Sequence, residues 1–308
     1  MTESSVGIHI VFLLPGSLKH HDANNLPLLN RMLSRAVPLS FPSAQEPVLS
    51  RYFRLGATPW PWASITREYD RGDAQNHTWV RADPAHWQVG STGGHLCAVG
   101  DFGLSNAEVE ALYATLTPFF AEHHYEFSAP APNRWYLRAL KHATVVPHFE
   151  HPDIAVQRHW SALLETNKEE MTAQQLLNEV QMVLHQHSVN NARMQNGQKT
   201  INSLWFWGAG CFPSRRESTV THILTRDNAL ISLANACGVL VSDTWPDSSS
   251  SGVYLVDLRV LKDDAKLISD WLGPAFRAWH KRELATIEFC FADGHACRLE
   301  TKPWWQIW

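Results

Sequence analysis

The segment HSVNNARMQNGQKTINSLWFWGAG, His187 to Gly210, is the densest stretch of the chain. Asn202 to Trp207 has the aromatic and apolar content of a strand and runs directly into a glycine turn at Gly208 and Gly210. Trp205 and Trp207 alternate, so they share one face of that strand, where packing between chain segments is the expected role and ligand stacking the sharper one. The two glycines allow close backbone approach or a positive φ, or simply a tight turn. Asn190 and Asn202 carry amides that can satisfy loop backbone groups where the chain turns sharply. Arg193 has the planar guanidinium suited to bidentate contact with phosphate or carboxylate, against the plainer reading of a salt bridge.

Working outward, the preceding segment predicts a helix beginning near Thr172, with Gln175 as box partner and Leu176, Leu177, Val180, Val183 and Leu184 as its apolar stripe. Downstream, the pattern predicts a helix over 227–237, a strand over 238–242, a strand in VYLVDL, and a helix over 263–282. A terminal hairpin of TIEFCF and ACRLE flanks Asp293-Gly294. Upstream, Val6 to Leu14 reads as a buried strand ended by Pro15-Gly16, and Leu26 to Ala36 as a helix, the first half of a βαβ unit. Between them and the dense stretch lies an α+β region. Short strands fall at 78–81 and 95–99. A helix follows, signed by Ser105 and Glu108 as a capping box with Leu104 as staple, and RWYLRAL reads as a further strand. The fold class is therefore α/β, with a compact α+β unit over 76–150 and PHFEHPD, 147–153, as a candidate boundary.

Composition bounds the function. The chain has 308 residues, 26 Lys plus Arg against 30 Asp plus Glu, and a formal net charge of −4. That balance gives no broad surface for nucleic acid. The opening apolar run is seven residues long, too short for a membrane span and without the basic flank of a signal peptide. Five scattered cysteines with no C-x-x-C spacing fit reduced thiols in a cytoplasmic protein. There is no P-loop, no dinucleotide fingerprint and no G-x-S-x-G elbow.

The dense stretch resembles the H-P-V-N-x-x-R-x-x-G-x-x-x-A-N-x-x-W-x-W-G-x-G signature of archaeal-type, cofactor-independent phosphoglycerate mutases. It matches at His187, Val189, Asn190, Arg193, Gly197, Asn202, Trp205, Trp207, Gly208 and Gly210. WVRADP (79–84), Asp101, the LSNAEV helix start and Arg134 in NRWYLR follow the family's order. With LLPGSL near the start, the arrangement is most similar to a bacterial branch labelled regulatory protein of the RpfE type. The resemblance implies a reduced, parallel alkaline-phosphatase-superfamily core, 1–75 and 156–308, with an inserted α+β domain, 76–155. It also implies an anion site drawing on Arg81, Arg134, Asn190, Arg193 and Asn202, with His187, Trp205, Trp207, Gly208 and Gly210 as motif and structural positions.

Active members of that family use two divalent metals and a phosphorylated serine. Metal-assisted phosphoryl transfer needs a dense carboxylate and imidazole cage. Here Pro15-Gly16 stands where the family has Asp-Gly, and no D-x-x-x-H or D-H follows Gly210. Asp73 to His77 is the one D-x-x-x-H, and it reads as a solvent loop. His20-His21-Asp22, Asp243, Asp247, Asp293 and His295 are the other candidates. Ser17 and Ser64 are conceivable nucleophiles outside any motif, and PHFEH (147–151) is a weak metal candidate. The expectation is a pseudoenzyme with no catalytic residues, metal or other cofactor. It would act as a regulatory protein or bind a small phosphorylated or carboxylated metabolite or a protein partner, with no nucleic acid and no membrane involved. The competing expectation is an active mutase or phosphatase with relocated ligands, holding Mn or Zn.

Overall fold

The computed structural model describes residues 7–15, 27–39, 48–90, 93–140, 149–156, 168–246, 251–261, 263–292 and 294–300. In chain order the strands are β1 Ile8–Leu14, β2 Val37–Pro38, β3 Phe53–Leu55, β4 Thr78–Gly90, β5 Gly93–Val99, β6 Tyr125–Ala131 and β7 Arg134–Ala139, then β8 Ser203–Cys211, β9 Arg216–Ser218, β10 His222–Leu224, β11 Leu240–Val241, β12 Gly252–Asp257, β13 Leu284–Phe291 and β14 Ala296–Glu300. The helices are α1 Pro27–Leu33, α2 Trp62–Arg71, α3 Asn106–Glu122, α4 Pro152–Ala155, α5 Lys168–His185, α6 Ser188–Gln195, α7 Asn228–Ala236 and α8 Gly273–His280, the last entered through a π-helical stretch, Leu267–Leu272.

Two compact units divide the chain. The first comprises residues 1–56 and 215–308 and the second residues 57–214. The first holds a mixed, mostly parallel sheet in the order β11-β10-β12-β1-β13-β14-β2. β1 lies between β12 and β13, parallel to both. Its sequence IHIVFLL is almost continuously apolar because a central parallel strand is buried on both faces, and all but His9 are buried. β13 and β14 form the expected antiparallel hairpin, with Phe289 opposite Cys297. The period-two alternation then sorts the faces. Ile10, Phe12 and Leu14 join Ile287, Phe289, Phe291, Tyr254 and Val256 in an apolar core closed by Leu29 and Met32 of α1 and Ala275 of α8. His9, Val11, Thr286, Glu288 and Cys290 fall on the opposite face.

The second unit is built on β4. This long strand pairs with β8 along residues 78–85, with β7 along 79–81 and with β5 along 85–90, always antiparallel, while β6 extends β7. The Ser105–Glu108 capping box forms in both directions at the start of α3. Trp79, Trp135, Trp205, Tyr136, Phe120 and Phe206 are fully buried. The boundaries read from the sequence, at 75/76 and 155/156, both fall inside this unit. The reason is the β4–β8 ladder, which joins Thr78 to Cys211 across 133 positions and returns the chain to the same sheet. α5 already runs from Lys168, so Thr172 lies within that helix and does not begin it.

Candidate functional site

The dense stretch folds into a clamp. His187 caps α6, its Nδ1 accepting from Val189 N at 3.2 Å, and its Nε2 lies 3.0 Å from Thr115 Oγ1. Asn190 donates from Nδ2 to the carbonyls of Leu184 and Ile201 and accepts from Ile201 N, all within 2.8 Å. Asn202 accepts from Trp87 N and donates to Trp87 O, both at 2.8 Å, beside the irregularity at His86/Trp87 in the β4–β5 ladder. Both amides thus serve backbone groups. Arg193, 2% exposed, donates from Nε to Lys199 O, from Nη2 to Phe102 O and from Nη1 to Glu108 Oε1.

Glu108 therefore serves both the α3 cap and Arg193. Burial pushes its carboxyl up, but the Ser105 amide and the Arg193 guanidinium hold it below the usual range. A depressed folded pKa stabilises the fold above the unfolded value and loses that contribution as pH falls through the folded one. Glu108→Gln should therefore lower stability by about 1–2 kcal/mol at pH 7. The deficit should shrink as pH drops below roughly 4.3, where unfolded glutamate titrates. Denaturation midpoints of both proteins between pH 7 and 3 check this, and a gap independent of pH contradicts it.

The other two arginines hold carboxylates of the same unit. Arg81 meets Asp83 through Nε at 2.9 Å and Nη2 at 2.8 Å, with its guanidinium over the rings of Trp207 and Tyr136. Arg134 grips Asp70 through Nε at 2.9 Å and Nη2 at 2.8 Å, and Tyr136 Oη donates to the same carboxylate at 2.6 Å. Trp207 Nε1 donates to Asp83 Oδ2, and Trp205 Nε1 to Glu150 O while its ring stacks on Phe149. The structure thus brings Arg81 and Arg134 together around Asn133 and Tyr136. Arg193 sits instead with Asn190 on the 197–202 loop. For each of these arginines, the anion it holds is a carboxylate of this chain.

In a parallel sheet, ligands gather at the carboxyl ends of the strands. There β1 is followed by Pro15, β12 ends in Asp257, and Asp227 caps α7 just beyond β10. Arg259 spans both carboxylates. Its Nε donates to Asp257 Oδ1 at 2.8 Å, and its Nη2 lies 3.0 Å from Asp257 Oδ2 and 2.9 Å from Asp227 Oδ2. Thr225 Oγ1 donates to Asp257 Oδ2, and Ala229 N to Asp227 Oδ1. Every oxygen of the pair already accepts a hydrogen bond, and a guanidinium supplies the positive charge. This donor set does not fit a two-metal cage.

The other candidates disperse. Asp73 pairs with Arg67, while His77 lies beside Arg138. Ser64 is buried and donates to Pro61 O. His151 caps α4 through Nδ1. Asp243 is exposed. Ser17, His20-His21-Asp22, Asp247, Asp293 and the closing KPWWQIW lie outside the described residues. Among the described residues no group of three His, Cys, Asp or Glu side chains is placed to hold a metal ion, and no helix is long and apolar enough to cross a membrane.

A cavity of about 390 Å³ opens on the sheet face opposite the apolar core of the first unit. It is lined by His9, Val11, Arg51, Tyr52, Thr219, Val253, Thr286, Glu288 and Arg298. Glu288 is 6% exposed, and Arg298 grips its Oε1 through Nε and Nη2. Tyr52 donates its hydroxyl to Oε2 and lies 3.2 Å from Cys290 Sγ, and Arg51 Nε stands 3.6 Å from Oε2. Burial, with Cys290 and Glu288 alongside, pushes the Tyr52 phenol far up, so it stays a hydrogen-bond donor at any working pH. Burial likewise pushes the Cys290 thiol up to about 12, which keeps it a poor nucleophile at neutral pH. Sequence reading missed these residues because they come from six separate stretches. The available signal was TIEFCF itself, whose Thr286, Glu288 and Cys290 place polar groups on alternate positions of an otherwise apolar strand.

No family model and no curated protein matches the chain. Among solved structures, it is similar to the cofactor-independent phosphoglycerate mutase from Thermoplasma acidophilum DSM 1728, with 17% identity over 96% of this chain and 90% of that one and a TM-score of 0.45. It is also similar to the PH0037 protein from Pyrococcus horikoshii, with 11% identity over 94% of this chain and 86% of that one and a TM-score of 0.44.

Proposed function

We propose that this chain is a phosphoglycerate-mutase-like protein of the RpfE-type regulatory branch. In this reading it works by binding in the bacterial cytoplasm, without metal-dependent phosphoryl transfer. The observation that carries the reading is Arg259. It lies across Asp227 and Asp257 at the carboxyl ends of adjacent parallel strands, where a catalytic cation pair would need open carboxylate oxygens. The ten motif positions in 187–210 support kinship with the mutases. Their internal clamping supports a scaffold kept for shape.

Metal analysis and a turnover assay on the same purified protein test the reading. The expected result is less than stoichiometric Mn or Zn after dialysis, and no mutase or phosphatase turnover above background with either metal added. Turnover of phosphoglycerate that chelator abolishes and metal restores would overturn it.

A further inference from the structure

We infer that the cavity on the polar face of the first unit's sheet is a binding site for a small neutral polyol. Its volume of about 390 Å³ lies in the ordinary range for ligand pockets. The ionic groups of Arg51, Glu288 and Arg298 that line it are already paired. Arg298 grips Glu288 Oε1 through Nε at 2.8 Å and also meets Glu300 Oε1 at 3.4 Å. Tyr52 donates to Glu288 Oε2, while Arg51 stands 3.6 Å from the same oxygen and has further contacts of its own. An anionic ligand would have to draw a guanidinium away from its carboxylate. A cationic one would have to compete with two guanidiniums for Glu288. Either exchange gives up an ion pair whose carboxylate is buried.

What the lining offers instead is acceptor capacity in neutral hydroxyls. A threonine hydroxyl carries one donor and two lone pairs. Thr219 Oγ1 donates to Tyr52 O at 3.4 Å, and Thr286 Oγ1 lies 2.8 Å from His9 Nδ1. Each contact leaves at least one lone pair on the threonine oxygen to accept from a ligand O–H. A wholly apolar ligand would cover both hydroxyls without answering them, at a cost in free energy for each. Val11 and Val253 give the cavity an apolar side, against which the carbon chain of a polyol packs. Thr286 and Glu288 are same-face neighbours on β13, so one hydroxyl stands beside an ion pair that is fixed before any ligand arrives. The inference gives the binding role proposed above a ligand class and rests on that reading for its purpose, while its geometry is independent of Arg259.

Erythritol and ribitol are the probes, with glycerate and inorganic phosphate as charged comparators, followed by calorimetry and thermal shift on the full chain. Saturable binding of at least one polyol is expected, with neither anion competing. Thr219→Val and Thr286→Val each remove the oxygen and keep the branched shape. Each should weaken binding about fivefold while moving the unliganded melting point little. Glu217→Gln, in the exposed pair outside the lining, should bind as wild type does. The site is overturned if neither polyol binds, or if both threonine variants bind as wild type does. The neutral-ligand assignment is overturned if glycerate or phosphate displaces the polyol at equal affinity. Each of these outcomes leaves the regulatory reading standing. Chelator-sensitive turnover of phosphoglycerate would instead remove that reading without touching the cavity.

Discussion

Gly208→Ala should lower stability by about 3 kcal/mol, and Gly210→Ala by a similar amount. At Gly208 the backbone has φ +64, and an added Cβ would stand 2.9 Å from Trp62 Cβ and 3.2 Å from Ala63 N. At Gly210, φ is +149 and the Cβ would meet Pro61 Cβ at 2.7 Å. Two costs combine. A left-handed conformation opposes an L side chain by roughly 1–2 kcal/mol. Displacing packed atoms adds roughly 1–3 kcal/mol. The atoms in the way belong to the start of α2 and its preceding proline, which are backbone or buried ring and cannot swing aside. Gly197→Ala is the control. Its φ is +68, but nothing lies within 4 Å of the added Cβ, so only the backbone term applies and about 1 kcal/mol is expected. The difference between the two positions measures the approach of α2 to β8. Equal midpoints for Gly208→Ala and Gly197→Ala in urea would mean that α2 does not pack there.

This pair of glycines also shows what the sequence could and could not reveal. The W-x-W-G-x-G spacing announces a turn of special backbone, because few other patterns place two glycines one residue apart after an aromatic strand. It does not announce that Pro61 and Trp62 are what the glycines accommodate, since that contact joins positions nearly 150 residues apart. Local signals held wherever the physics is local. Ser105 and Glu108 satisfy each other's backbone donors, IHIVFLL is a central strand because both its faces are buried, and TIEFCF pairs antiparallel with ACRLE. The unit boundaries were hidden for the opposite reason. PHFEHPD has the look of a linker, yet Phe149 stacks on Trp205 and pairs by a bridge with Trp207, so Phe149 is packed into the second unit. The arginines were visible as residues but their partners were not. Asp83 lies two positions from Arg81, but Asp70 and Glu108 lie 64 and 85 positions from theirs. Guanidinium geometry serves an external phosphate and an internal carboxylate equally well, and only the fold says which is within reach.

Asp83→Asn should be the most damaging single change in the second unit, at about 3–5 kcal/mol. Asp83 is 2% exposed, and four donors converge on it: Arg81 through Nε and Nη2, the Trp135 amide and the Trp207 indole. The side chain of Arg81 is 6% exposed, so solvent cannot replace the lost carboxylate. Breaking a buried pair by removing one partner leaves a charge without compensation, which is far worse than removing both. The double variant Arg81→Met with Asp83→Leu should therefore recover part of the loss, although Trp207 Nε1 and Thr66 Oγ1 then lose partners and the recovery stays incomplete. Trp207→Phe alone should cost about 1–2 kcal/mol, because it deletes one donor and leaves the ion pair intact. The exposed pair Arg215–Glu217 supplies the contrast: Glu217→Gln should leave the midpoint unchanged, since water and salt screen that contact. Urea denaturation gives the magnitudes, and amide exchange along β4 and β8 places them in this sheet. Exchange that accelerates in β4 and β8 before β1 and β12 is the expected pattern. If Asp83→Asn stays within about 1 kcal/mol of wild type, the buried pair does not hold this unit together. The reading of Arg81 as an internal staple of this sheet then loses its main support.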